Sequence, residues 1–233
     1  MFPTIHNYPM LPSTNTTAKE LILAGTREGV IVAEKQSAGR GRLGRSFFSE
    51  NGLFMSVILS PERVSFAPSF LTSVAAVSVC RVLRERGFDV GIKWVNDLYY
   101  KGKKVCGILT EAVSCGGEIM GYVVGIGINL GDADFPAELA EIATALPISI
   151  ENKKALLGEI IASLEAALSE SAESLVSYLS ENSVVLGKRI RFFGAREGEG
   201  IATGLDSQGG LIVRTAENES ITLTTGEISV RLQ

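Results

Sequence analysis

The chain has 233 residues, 45% of them hydrophobic and 21% charged, which suits one compact domain or a larger and a smaller one and excludes disordered, collagenous and disulfide-rich classes. Lys and Arg number 22 against 26 Asp and Glu, a formal charge of −4, so the surface as a whole is not built to bind nucleic acid. A single histidine, His6, and three cysteines without metal-site spacing argue against His-rich zinc sites and Ser-His-Asp catalysis, and point to reduced thiols in a cytoplasmic protein.

The opening MFPTIHNYPMLPS lacks the basic and apolar regions of a secretory signal. Residues 13–24, STNTTAKELILA, read as a helix with Ser13 or Asn15 as N-cap. A short apolar strand at 30–34 leads into a Gly/Arg loop at 37–45, then a second strand, LFMSVIL, at 53–59. The uncharged stretch 64–80 contains Pro68 and falls short of the roughly 20 apolar residues of a membrane span, so it reads as loop followed by buried helix. That helix covers 71–86, with Leu71, Val74, Ala75, Val79 and Val82 on one face and Gly87 at its end. Strands are predicted at 92–100, 104–113 and 119–129, the first two joined by a Lys101-Gly102 turn, and helices at 152–168 and 172–180. Strands that follow one another directly, with helices between groups of them, predict an α+β mixed β-sheet covered by helices. All seven prolines lie at or before Pro147, and the tail beyond Gly187 holds RIRFF, GIATGL, LIVRT, SITLT and EISVRL between turns. These five short runs predict a small β-barrel. The expected division is therefore 1–185 and 186–233.

Three segments carry candidate chemistry. Gly39-Arg40-Gly41-Arg42-Leu43-Gly44-Arg45 matches G-x-G-x-x-G, but the residues after it lack the helical periodicity a dinucleotide fold requires. Its distinction is charge: with Lys35, it places four cations within eleven residues. Arginine forks grip phosphate oxygens, and glycines let backbone approach a ligand. From this loop alone, a solvated basic loop is an equal reading. Lys93 to Tyr100 followed by Lys103 to Leu109 gathers the only tryptophan, Asn96, Asp97 and a lysine pair on one hairpin, with Lys104 near Asp97 across the turn. Alternate residues of a hairpin share one face, so Lys93, Val95 and Asp97 are expected to face opposite to Trp94 and Asn96 until the strand breaks. In Gly125-Ile126-Gly127, alternate glycines weaken a strand unless a ligand or a helix packs flat against them.

Together these segments resemble the biotin–protein ligase family. The resemblance is carried by Ser13-Thr14-Asn15, Gln36 to Arg45, Lys93-Trp94-Val95-Asn96-Asp97-Leu98, Lys104 to Leu109, Gly127-Ile128-Asn129 and the tail, and covers nearly the whole chain. It implies a class II synthetase-like catalytic domain with an SH3-like C-terminal barrel. It also implies formation of biotinyl-5′-adenylate from biotin and ATP, then transfer of biotin to a lysine of an acceptor. Lys104 and Arg40 are expected to stabilise the transition state and Asp97 to orient the acceptor lysine. Biotin is expected against Ser13, Thr14, Asn15, Gln36, Gly39, Arg40, Gly41, Arg42, Lys104, Gly107, Gly125 and Gly127. The nucleotide is expected against Arg40, Arg42, Arg45, Phe47, Asn96, Lys104 and Asn129.

Mg²⁺ is expected to arrive on the ATP phosphates, with no metal cage made by the protein. The acceptor implied is the biotin carboxyl carrier protein or domain of acetyl-CoA carboxylase or a related carboxylase. No membrane partner is expected, and monomer and homodimer stay open. The short segment before Ser13 leaves no room for a helix-turn-helix, so no DNA partner is expected. Leu43 and Phe47 depart from the family pattern, where a basic residue and a tryptophan are common. The rivals are a lipoate or octanoate ligase or transferase of related fold and, from another class, a nucleic-acid-binding module.

Overall fold

The computed structural model describes residues 4–44, 47, 49, 51–132, 135–194, 196–224 and 228–232. Seven strands form the first sheet: β1 (Ile5–Leu11), β2 (Gly29–Gln36), β3 (Gly52–Leu59), β4 (Val90–Lys93), β5 (Asp97–Tyr100), β6 (Lys103–Cys115) and β7 (Glu118–Asn129). Their order is β1-β2-β3-β7-β6-β5-β4, with β1 parallel to β2 and every other pair antiparallel. Period-2 alternation sorts the side chains. Val30, Val32, Val57 and Val124 pack under α2 (Leu71–Glu85) and α4 (Lys153–Ala167), whereas Ile31, Ile58 and Val123 meet Ala18 and Ile22 of α1 (Thr14–Leu23) on the other face. All eight residues of β3 are buried, as expected for a strand covered on both sides. Two further α-helices among the described residues are α3 (Ala137–Ala140) and α5 (Ala172–Glu181). Helices α2, α4 and α5 lie close to the lengths their apolar spacing predicts.

Three features differ from the sequence expectation. Strand β1 was not foreseen: Pro9 and the polar His6 and Asn7 mask it, and an edge strand tolerates a proline because one side of its backbone needs no partner. Residues 92–100 are not one strand. The chain reverses at 94–96, so β4 and β5 pair with each other, Lys93 opposite Asp97, and the alternation of faces along the run does not hold. Ser13 occupies the N-cap position of α1 without a side-chain capping bond, while Asn15 lies inside the helix with its amide committed elsewhere. The Lys101-Gly102 turn is as predicted, with φ of 50° and 79°, the double left-handed conformation that a two-residue hairpin of matching twist requires.

The tail forms a second, antiparallel sheet of β8 (Arg189–Gly194), β9 (Gly198–Leu205), β10 (Leu211–Arg214), β11 (Ser220–Leu223) and β12 (Ile228–Leu232), in the order β11-β10-β9-β8-β12. This small antiparallel sheet is consistent with the expected SH3-like unit; among the described residues its edge strands are β11 and β12. Its core of Ile190, Phe192, Ala202, Leu211, Val213 and Leu223 extends to Trp94 and Val95 in the β4–β5 reversal. Residues 182–184 lie along β4, Ile92 N–H donating to Asn182 O at 2.8 Å and Val184 N–H to Ile92 O at 2.9 Å. Cys80 and Cys106 are buried free thiols, and burial pushes the Cys80 pKa up to about 11; Cys115 is free and exposed. No helix among the described residues is long and apolar enough to cross a membrane.

Candidate active site

One cavity of about 690 Å³ opens over the middle of the large sheet, a size that fits a small ligand. Its floor is β6 and β7, one end is the start of α1 with the end of β2, and the other is the β4–β5 reversal. Ser13, Thr14, Asn15 and Gln36 line the first end. Gln36 Oε1 accepts from Thr14 N–H at 2.8 Å and Thr14 Oγ1–H at 3.3 Å, tying β2 to the helix start. Ser56 Oγ, from the buried centre of β3, stands 2.7 Å from Thr14 Oγ1 and 2.6 Å from Asn15 Oδ1 and gives its one proton to either. Asn15 Nδ2 donates to Leu109 O at 3.1 Å and to Glu111 Oε2 at 2.8 Å; Lys19 Nζ completes the set at 2.9 Å from Glu111 Oε1. Both donors of the Asn15 amide are thus used within the protein, and its contribution to the cavity is shape.

Glu111, Lys19 and Ser56 escaped the sequence reading. The spacing of Asn15 and Lys19, four apart on one helix face, is the signal that would have paired them. Burial alone would raise the Glu111 pKa, but the Lys19 ammonium and the Asn15 amide hold it below its ordinary value of 4.5. A depressed carboxyl stabilises the fold above the ordinary carboxylate range and loses that contribution as pH falls through its lowered value. We therefore expect Glu111→Gln to cost about 1 kcal/mol near neutral pH, a figure kept small because the Lys19–Glu111 pair is only partly buried. In denaturant titrations the gap between wild type and variant should close below about pH 4.5; a gap independent of pH would contradict the assigned charge.

The opposite end is cationic. The Lys104 ammonium stands 2.6 Å from Asp97 Oδ1, the pairing anticipated across the hairpin. Lys104 is held from both backbone sides, its N–H donating to Ile142 O and its carbonyl accepting from Thr144 N–H, each at 2.9 Å. Lys93 Nζ donates to Tyr99 OH at 3.1 Å; burial, then the neighbouring Asp97 charge, raises the Tyr99 pKa above 10. Arg42 reaches from the Gly/Arg loop to Asn96 Oδ1 at 3.2 Å, while Asn96 Nδ2 donates to Ile108 O at 3.1 Å. Arg40 and Gly41 line the cavity beside Arg42, Arg40 being exposed. Asn129 is 2% exposed; its Nδ2 donates to Thr144 O, and its Oδ1 is buried without a partner among the described residues. Leu139, Ile142 and Ala143, none of them anticipated, wall this end.

The glycines acquire specific reasons. A β-carbon at Gly125 would fall on the Asn15 carboxamide, and one at Gly127 would lie 2.7 Å from the Phe47 ring. At Gly107 it would crowd both Lys104 Nζ, at 3.0 Å, and Phe47, at 3.3 Å. Phe47 lies over this part of the floor, edge-on to Phe54 with ring centroids 6.4 Å apart. Gly39 is not among the residues that line the cavity. Its carbonyl accepts from Phe47 N–H at 2.9 Å, and a β-carbon there would strike the Phe47 carbonyl, so it shapes the loop from behind. Arg45 and the side chain of Leu43 lie outside the described residues. Among the described residues the loop contains only a short 3₁₀ turn at Arg42–Gly44, in keeping with rejection of a dinucleotide fold.

Two family models match the chain: the biotin/lipoate A/B protein ligase family over residues 8–129 and the biotin protein ligase C-terminal domain over 185–231. The bifunctional ligase/repressor BirA of Bacillus subtilis is 43% identical over 145 residues, 60% of this chain and 45% of that protein, so the chain spans less than half the length of that relative. The biotin–[acetyl-CoA-carboxylase] ligase of Paracoccus denitrificans is 30% identical over 221 residues, covering 87% of this chain and 90% of that one. The structure of a biotin protein ligase from Aquifex aeolicus in complex with biotin and ATP superposes with a TM-score of 0.86 at 27% identity, over 99% of both chains. A cavity joining a neutral polar end to a cationic end, on a fold and a sequence shared with these proteins, places this chain in the biotin/lipoate A/B protein ligase family.

Proposed function

We propose that this chain is a biotin–protein ligase, with a catalytic unit over 1–185 and a C-terminal unit over 186–233. The observation that carries the reading is the polarity of the cavity. A neutral hydrogen-bonding end of Ser13, Thr14 and Gln36, shaped by Asn15, suits a ureido ring, and a cationic end of Lys104, Arg40 and Arg42 suits a carboxylate meeting a phosphate. Gly41, Gly107, Gly125 and Gly127 line the cavity between the two ends, where an acyl chain would run beside the Phe47 ring and the Asn15 carboxamide. Asn129, with its unpartnered Oδ1, and Phe47 serve the adenine side, with Asn96 holding Arg42 in place. Arg45 belongs to the same phosphate-binding loop.

In the first step a biotin carboxylate oxygen attacks the α-phosphorus of ATP, the new O–P bond forms, and the bond to the bridging oxygen breaks to release pyrophosphate. Two anions approach each other, so the barrier is chiefly electrostatic, and Lys104 and Arg40 lower it by standing where negative charge concentrates. Closure of the Gly/Arg loop shields the mixed anhydride from water. In the second step an acceptor lysine, having lost a proton, attacks the acyl carbon and AMP departs. Asp97, which holds Lys104, orients the incoming amine. Mg²⁺ accompanies ATP on its phosphates. Among the described residues no three His, Cys, Asp or Glu side chains converge on a cation site. The acceptor is the biotin carboxyl carrier of acetyl-CoA carboxylase or a related carboxylase, and the reaction is cytoplasmic.

The test is direct. Incubated with biotin and Mg-ATP, the protein should retain a ligand with the mass of biotinyl-AMP, and on addition of a carrier domain it should add one biotin to it. Recovery of unmodified ATP and biotin only would overturn the reading.

A further inference from the structure

Trp94 is 5% exposed and lies in the reversal that separates Lys93 from Asn96 and Asp97. Its indole N–H donates to the carbonyl of Gly209, 115 residues further along the chain, at 2.9 Å, and the bond is buried. Gly209 belongs to a turn of the C-terminal unit that is rigid from within. Asp206 Oδ1 accepts from Gln208 N–H at 2.8 Å and Gly210 N–H at 2.7 Å, while Asp206 N–H donates to Gly210 O at 2.9 Å and Gly209 N–H to Asp206 O at 3.0 Å. The turn is also pinned from outside. Gly209 has φ of +75°, and a β-carbon there would lie 2.6 Å from the buried Phe70 ring, at the head of α2. On the far side of the reversal, Asn96 O accepts from Ile108 N–H at 2.8 Å and Asp97 holds Lys104. The segment that carries Asn96 and Asp97 is therefore clamped between β6 and a turn of the other unit.

Resting on the ligase reading above, we propose that Gly209 and Trp94 are positioning residues for adenylate formation. The C-terminal turn fixes the β4–β5 reversal through the indole bond and so sets where Asn96, Asp97 and, through Asp97, the Lys104 ammonium stand. Small displacements of such groups are costly because charge stabilisation depends on preorganised placement. Among the described residues no hydrogen bond or ion pair links this turn to the neutral end of the cavity, built from α1, β2 and β3, so biotin binding there should not depend on it.

The experiment compares wild type with Trp94→Phe, which keeps a ring and removes the N–H, in the full-length chain. At saturating substrates, biotin-dependent pyrophosphate exchange by the variant should fall about tenfold, with biotin affinity in the absence of ATP unchanged within about twofold. Gly209→Ala should give the same split, and the double variant should be no slower than the poorer single one, as expected for two residues acting through one bond. A folded Trp94→Phe protein with the wild-type exchange rate would overturn the proposal, as would parallel loss of exchange and ATP-free biotin binding. If Trp94→Phe does not fold, Asp206→Ala decides by loosening the turn from its solvent side. Slowed exchange with intact biotin binding upholds the coupling, and wild-type exchange removes it. Wild-type protein that shows no biotin-dependent exchange would bring down the ligase reading itself, whereas normal wild-type exchange with an unaffected variant brings down this coupling alone.

Discussion

Lys104→Ala should lose biotinyl-adenylate formation almost completely while remaining folded. Asp97 holds the ammonium, and two hydrogen bonds of the Lys104 main chain fix the strand that carries it beside the cavity. Removing a preorganised charge of this kind raises a barrier by roughly 3–4 kcal/mol, about a hundred- to a thousandfold in rate. The substitution acts twice, because it also leaves Asp97, with only 20% of its side chain exposed, as an uncompensated carboxylate facing two anionic substrates. Lys104→Arg should recover little, since a planar fork cannot occupy the point position of an ammonium beside Gly107. The measurement is biotin-dependent pyrophosphate exchange, with circular dichroism to show the fold. Exchange within a few-fold of wild type would remove Lys104 from the chemistry.

Gly125→Ala should strike the other end. The added methyl overlaps the Asn15 carboxamide, which must swing away and abandon its bonds to Leu109, Glu111 and Ser56. Losing several partly buried hydrogen bonds at about 1 kcal/mol each amounts to roughly 3 kcal/mol, equivalent to about a hundredfold in affinity if the slot alone bears the loss. Calorimetric titration with biotin in the absence of ATP checks this. Unchanged affinity would mean that Asn15 and the Gly125 strand do not shape the slot, whereas a lowered melting temperature with unchanged affinity would place the cost in the fold instead. Unlike Lys104→Ala, this variant should regain part of its exchange rate at high biotin concentration.

The contrast between what the sequence disclosed and what it hid has a physical pattern. Strands β2 and β3 and helix α2 were legible because each buries a continuous or periodic apolar set, a local property. The reversal at 94–96 was not: nothing in KWVND breaks a strand, and it is held by a bond from Trp94 to a turn far along the chain. Strand β1 was lost to Pro9, which only an edge position accommodates. At the site, the loop arginines, Asp97 and Lys104 stood out by charge against an acidic composition. The network behind the neutral end did not, because it joins α1, β3 and β6 across the sheet. Ser56 is a lone hydroxyl within an apolar strand, and Lys19 and Glu111 are ordinary surface residue types until folding brings them together. The close approach of the Phe47 backbone to Gly39 was equally hidden, because it joins two ends of the loop that the sequence does not show to be adjacent.

In the proposed reaction a cationic site joins a vitamin carboxylate to AMP, and the family to which the chain belongs also includes lipoate enzymes. The most direct measurement is therefore exchange of labelled pyrophosphate into ATP by wild-type protein, with biotin, lipoate or octanoate as the only carboxylic acid present. We expect label to enter ATP with biotin and to stay at background with the other two, which carry no ureido group to meet the neutral polar end of Ser13, Thr14 and Gln36. Exchange supported equally by lipoate or octanoate, or by none of the three, would contradict it.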